Sequence, residues 1–200
     1  MKELVDIISI GVLIYFFLLN ISYLILFLVS YNGIRKYKKR SNLNNYLKIY
    51  QSKLTPPISL LVPAYNEEDT IIKNINSFLS QFNYPEYEVI VINDGSKDST
   101  LKKVLNTFDC RLENFPYKKI IETKDIKNIY ISNKDPRLKI IDKENGGKAD
   151  ALNAGINISK YPYFGSIDAD TILEKDSYLK VMVPVIDNPN NVIATEELLE

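Results

Sequence analysis

Leu138 to Gly155 reads LKIIDKENGGKADALNAG, and the rest of the chain is best read outward from it. Leu138 to Ile141 is a short, mainly apolar run of the kind buried in a sheet. The Gly146-Gly147-Lys148 turn follows, and a helical stretch then carries through Gly155. A glycine turn at a helix start lets the backbone approach an anion closely, with Lys148 as a point charge beside it. A further run, Tyr163 to Ile167, ends at Asp168-Ala169-Asp170. Together these segments hold the parts needed to bind a diphosphate and a divalent metal. The turn is not a P-loop, because the G-x-x-x-x-G-K-[ST] spacing is absent.

The same strand, turn and helix order occurs twice upstream. Ile58 to Val62 is apolar apart from Ser59 and stops at Pro63. Glu67, Glu68 and Asp69 then crowd an expected first helical turn, and Ile71, Ile75, Phe78 and Leu79 mark one helix face. Val89 to Ile92 forms the next strand, followed by the Asn93-Asp94-Gly95-Ser96 turn and a helix stripe of Leu101, Val104, Leu105 and Phe108. Alternation of this kind predicts an α/β fold with a mostly parallel sheet flanked by helices, which binds ligands at the carboxyl ends of its strands. Four polar turns then gather on one edge. Asp168 and Asp170, two apart at a strand end, are expected to face the same way. Two such carboxylates repel unless a cation lies between them, and oxygen ligands suit Mg²⁺ or Mn²⁺. The interval from Arg111 to Pro136 breaks the rhythm. Its Lys118 to Ile121 and Ile129 to Ser132 runs read either as extra edge strands or as a surface insertion.

No charged residue occurs from Ile7 to Ile34, whereas about 20 apolar residues suffice to cross about 30 Å of hydrocarbon. A cleavable signal peptide fits poorly: Lys2 is outnumbered by Glu3 and Asp6, the apolar run is long, and no small-residue cleavage site follows. The expected organisation is therefore a transmembrane helix over residues 1–34, a basic juxtamembrane linker over 35–57 with a short helical face before Pro56-Pro57, and a globular domain over 58–200. Arg35, Lys36, Lys38, Lys39 and Arg40 outweigh the charge on the other flank. By the positive-inside rule this single N-terminal pass in the cell membrane leaves the N-terminus outside and the globular domain cytoplasmic.

Charge and composition exclude several functions. The 25 basic and 25 acidic side chains cancel, but residues 1–40 hold six basic against two acidic, leaving 19 against 23 elsewhere. A net −4 over the body argues against nucleic acid as a partner, which wants a basic face. With no histidine, Ser-His-Asp and Cys-His schemes and histidine metal sites are absent. A lone Cys110 forms no intrachain disulfide, fits a reducing compartment, and reads as a small apolar filler near a helix end.

Four motifs in order are specific where each alone is weak: Val62-Pro63-Ala64-Tyr65-Asn66-Glu67, Asn93-Asp94-Gly95-Ser96, Gly146-Gly147-Lys148 with Ala151-Leu152-Asn153, and Asp168-Ala169-Asp170. From Ile58 to Thr195 the chain resembles the membrane-bound family 2 glycosyltransferases, the GT-A (Rossmann-like) group that includes cellulose, chitin, hyaluronan and poly-N-acetylglucosamine synthases. The resemblance implies metal-dependent transfer of a sugar, with inversion, from a UDP-sugar donor to a glycan acceptor at the lipid bilayer. It implies that Ala64, Tyr65, Glu67 and Asp94 hold the uridine, that Gly147 and Lys148 lie near the diphosphate, and that Asp168 lies near the ribose and donor sugar. Asp170, with Asp168, would then hold the metal. Asn93 stands where many members have aspartate.

Family members continue with an acidic base motif, a Gln-x-x-Arg-Trp motif and further membrane helices. Thr195-Glu196-Glu197 comes too early for that base, so Glu196, Glu197 and Glu200 read as a solvated chain end, and there is no tryptophan. The expectation is a donor-binding half whose general base lies beyond Glu200, supplied by a missing C-terminal half or a partner subunit. The alternative is a catalytically incomplete, membrane-anchored nucleotide-sugar-binding module. A dinucleotide-dependent oxidoreductase is disfavoured, because no G-x-G-x-x-G follows the first strand.

Overall fold

The computed structural model describes residues 2–40, 55–81, 84–114, 116–189 and 191–196. The chain divides into two compact units, Met1–Lys48 and Ile49–Glu200. In the first, helix α1 spans Lys2–Arg40, and its stretch Asp6–Arg35 is long and apolar enough to cross a membrane. Its large apolar side chains are exposed all round, an arrangement that suits hydrocarbon as the solvent. Two of its polar side chains bond back to their own helix: Asn20 Nδ2 donates to the Phe16 carbonyl (2.7 Å) and Ser22 Oγ to that of Leu19 (2.7 Å). The helix runs on through Arg40, so residues 35–40, expected to open the linker, continue it. The short helical face expected before Pro56-Pro57 falls mostly on residues 41–54, outside the described residues.

The second unit is a six-stranded sheet. Its strands are β1 (Ile58–Ala64), β2 (Tyr87–Asp94), β3 (Cys110–Leu112), β4 (Ile126–Ser132), β5 (Leu138–Lys143) and β6 (Tyr163–Ser166), in the order β3-β4-β5-β2-β1-β6. The four strands β5, β2, β1 and β6 are parallel, as the alternating pattern requires; β4 and β3 add an antiparallel edge. The helices are α2 (Ile71–Leu79), α3 (Thr100–Thr107), α4 (Lys148–Ile158) and α5 (Ser177–Asp187).

Strand alternation assigns the faces. Leu61, Ile90, Ile92 and Ile141 pack with Ala151 and Ile158 of α4 in a buried cluster. Each such leucine or isoleucine side chain contributes about 1.5–3 kcal/mol of burial. On the opposite face Tyr87 meets Tyr178 of α5 edge-to-face at 5.0 Å, and its hydroxyl donates to the Leu79 carbonyl of α2 (2.6 Å).

At the edge, the two runs expected as extra strands or as a surface insertion take different forms. Ile129–Ser132 belongs to β4, but Lys118–Ile121 is not a strand. The Ile120 and Ile121 amides donate to Asn157 Oδ1 of α4 (3.0 and 2.9 Å), and Asn157 Nδ2 returns a bond to the Ile121 carbonyl (2.8 Å). One side chain thus takes the bonds a neighbouring strand would have taken. Cys110 opens β3 two residues after Phe108, the cap of α3, and so lies near a helix end as expected. Partial burial and the neighbouring Asp109 push its thiol up to about 11, so it stays protonated near neutral pH.

Candidate functional site

The carboxyl ends of β1, β2, β5 and β6 surround a cleft of about 380 Å³, within the usual range for small-molecule sites. Ala64, Tyr65, Glu67, Asp94, Gly147, Lys148, Asp168 and Asp170 all line it. Every residue singled out for the site therefore reaches one concavity. Pro63 of β1 and the turn residues Asn145 and Ala169 complete the wall.

The first two turns brace each other. The Asn66 amide donates to Ser96 Oγ (3.1 Å), Asn66 Oδ1 accepts from the Lys97 amide (2.8 Å), and the Glu67 amide donates to Thr100 Oγ1 (2.8 Å). Glu67, Glu68 and Asp69 do not occupy a helical turn as expected. Helix α2 starts at Ile71 with Thr70 as its cap, so the three acids lie in the preceding turn, which frees Glu67 to line the cleft.

Asp94 is 3% exposed and organises the glycine turn. Its Oδ1 accepts from the Gly146 amide (3.0 Å) and from Lys143 Nζ (2.7 Å), its Oδ2 from the Gly147 amide (2.7 Å), and its carbonyl from Asn145 Nδ2 (2.8 Å). Gly147 caps α4 at φ 87°, a region that disfavours any side chain. Gly95, at φ 67°, would press a Cβ to 2.9 Å from the Asn145 backbone nitrogen, so the close approach of these two turns requires glycine at position 95.

Asn93 points the other way, its Nδ2 donating to Asp142 Oδ1 (2.9 Å). An aspartate there would set two carboxylates within hydrogen-bond distance, so the amide suits Asp142 rather than the cleft.

Asp168 and Asp170 do not stand on a strand. Strand β6 ends at Ser166, and the aspartates form a turn closed by the Thr171 amide on the Asp168 carbonyl (3.1 Å). Strand alternation therefore does not set their directions; helix α2 holds the turn. Buried Asn74 Nδ2 donates to the Ala169 carbonyl (2.6 Å), the Leu173 amide donates to Ser77 Oγ (3.2 Å), and Gln81 Nε2, just past the helix, donates to the Glu174 carbonyl (2.5 Å). Exposed Lys148 pairs with Asp168 across the cleft mouth. Among the described residues, no hydrogen bond or ion pair engages the Asp170 carboxylate.

No group of three or more carboxylate, thiol or imidazole ligands occurs among the described residues. Two carboxylates on one cleft nonetheless match the way Mg²⁺ is ordinarily held, by one or two carboxylates with substrate phosphate and water completing the shell. Thr195 and Glu196 lie apart from this cleft. Thr195 Oγ1 donates to the Val181 carbonyl (2.9 Å) and Glu196 is exposed, while Glu197 and Glu200 lie outside the described residues.

A parallel sheet with a polar cleft at its carboxyl edge, a glycine-lysine helix start and an aspartate turn defines an α/β protein whose strand ends form a ligand-sized concavity. The chain belongs to glycosyl transferase family 2, whose sequence profile matches residues 59–196. It is similar to a poly-beta-1,6-N-acetyl-D-glucosamine synthase of Staphylococcus epidermidis, 35% identical over 133 residues, which cover 66% of this chain and 26% of that protein. It is also similar to a chondroitin synthase of Pasteurella multocida, 34% identical over 61% of this chain and 10% of that one. The matched stretch thus spans about a quarter or less of these relatives. Among solved structures, a mannosyltransferase from Pyrobaculum calidifontis in complex with GDP-Man and Mn²⁺ shares the fold, with a TM-score of 0.52 and 21% identity over 66% of this chain and 33% of that one. The sheet and flanking helices are those of a GT-A-like fold.

Proposed function

We propose that this cleft binds a UDP-sugar and that the chain forms the donor side of an inverting, metal-dependent glycosyltransferase acting on a glycan acceptor at a membrane. The observation that carries the reading is convergence: eight residues at or just beyond the carboxyl ends of four strands line one cleft. Ala64, Tyr65 and Glu67 would flank the uridine. Asp94 already accepts three hydrogen bonds on its two carboxylate oxygens, which leaves Oδ2 one acceptor position for a ligand N–H. Gly147 and Lys148 would take the diphosphate, Asp168 would lie near the ribose and sugar, and Asp170 with Asp168 would hold Mg²⁺ or Mn²⁺.

Lys148 and Asp168 now neutralise each other; a phosphate competes for the lysine and a cation for the carboxylate, so each ligand favours entry of the other. When bound, the cation would offset the charge that develops on the departing diphosphate. With α1 across the membrane and its basic end inside, the globular unit would work on the cytoplasmic face.

Calorimetric titration of the full chain with UDP tests the reading. Saturable heat is expected with Mn²⁺ present, removed by chelator and weakened at least about tenfold in Asp170→Ala. Binding indifferent to both changes would overturn it, and a preference for GDP in a parallel titration would overturn the uridine assignment. A catalytically incomplete binding module is the second reading, favoured by the position of Glu196 away from the cleft; measured sugar transfer by this chain excludes it.

A further inference from the structure

Lys143 has no solvent-exposed surface, yet it is charged and lies just below the cleft without lining it. Strand register places it beside Asp94 at the ends of β5 and β2, on the sheet face covered by α4. Its Nζ contacts Asp94 Oδ1 (2.7 Å), Asp150 Oδ2 in the first turn of α4 (2.5 Å) and the Glu144 carbonyl (2.5 Å). Those three partners belong to β2, to α4 and to the turn between β5 and α4. Asp94 in turn holds the Gly146 and Gly147 amides. Without the ammonium, Asp94 and Asp150 would be two carboxylates facing each other across a buried space. Repulsion would drive at least one of them away from the glycine turn.

We propose that Lys143 is the positioning residue of the donor cleft, acting through Asp94 and Asp150 to hold Gly146, Gly147 and the start of α4 in the arrangement that presents Lys148 to a diphosphate. This rests on the nucleotide-binding reading above, and extends it from residues that line the cleft to one that does not.

The same sheet face supplies a control. Lys139 and Glu88 form a second buried ion pair (2.8 Å), with side chains 8% and 5% exposed. Lys139 stands beside Ile90 in the register, four residues and about 13 Å of strand from Lys143, toward the amino edge. Breaking it strips charge from a buried partner but leaves the glycine turn alone.

The experiment compares Lys143→Met with Lys139→Met in the full chain, by hydrogen exchange of peptides covering residues 144–150 and by UDP titration with Mn²⁺. Both variants are expected to melt at lower temperature. Only Lys143→Met should exchange faster at residues 144–150, by about tenfold, and bind UDP about tenfold more weakly, equivalent to about 1.4 kcal/mol. Equal exchange at residues 144–150 in the two variants, or equal loss of affinity, would overturn the proposal and reduce Lys143 to a stabilising charge. Should Lys143→Met fail to fold, Lys143→Gln, neutral but still a donor, carries the same comparison; unchanged exchange there would overturn it equally. Exchange is read without nucleotide. A wild-type chain that ignores UDP but shows the selective exchange effect would refute the nucleotide reading while leaving the positioning role in place.

Discussion

Burial disfavours the charged form of Lys143, but hydrogen bonds to Asp150 and Asp94 outweigh it and raise its ammonium above the ordinary value. Burial likewise works against charged Asp150, and the bonds from Lys143 Nζ and the Lys124 amide overcome it, leaving that carboxyl below the ordinary range. The signs follow from linkage. A depressed carboxyl stabilises the fold above its unfolded value of about 3.9 and loses that contribution as pH falls through its folded value; a raised lysine contributes fully below about 10.4 and loses it as pH climbs further. The melting temperature of Asp150→Asn is therefore expected to lie below that of the wild type at pH 7, with the gap closing as pH drops below about 4. A gap that stays constant in acid would show that Asp150 is not held ionised by its partners. Lys148, Asp168 and Asp170 were legible in the sequence because polar residues in glycine and aspartate turns announce a strand edge. Lys143 was not legible, since a lysine at a strand end is ordinarily solvated. Its burial comes from β4 and β2 on either side and α4 above.

Helix α2 shows the same divide at the next scale. Its stripe of Ile71, Ile75 and Phe78 was legible as a helix face by spacing alone, and all three are fully buried. Asn74 lies on that stripe and looked like an ordinary polar interruption. Its amide holds the Ala169 carbonyl, between the two aspartates. Asn74→Leu, close in volume, leaves that buried carbonyl without its donor, at a cost of about 1–3 kcal/mol. It is expected to lower the unfolding midpoint in urea and, beyond that, to weaken Mn²⁺-dependent UDP binding; intact metal-dependent affinity in the folded variant would mean the aspartate turn holds itself. The four parallel strands were likewise legible from alternation, but β3 was not. It has three residues with Arg111 and Leu112 exposed, so it carries no buried stripe, and pairing with β4 alone defines it.

At the scale of the whole chain, α1 and the sheet unit differ in where their apolar side chains lie: exposed along α1, buried in the sheet unit. The uncharged run is sufficient to specify a helix with exposed apolar sides, long and apolar enough to cross a membrane. The proposed orientation is checked with Asn45→Cys in a Cys110→Ser background. A membrane-impermeant maleimide should label it only after the cells are permeabilised, and labelling of intact cells would reverse the orientation. The sequence by itself determined the α/β class, the parallel strand order of events along the chain and the four turns that meet at one edge. These follow from period and turn chemistry, which are local. The tertiary structure alone decided which charges are buried, that Asp94 spends most of its carboxylate on the glycine turn, and that a helix rather than a strand aims the two aspartates. Those depend on which segments become neighbours across 20 to 95 residues, and no local pattern encodes that.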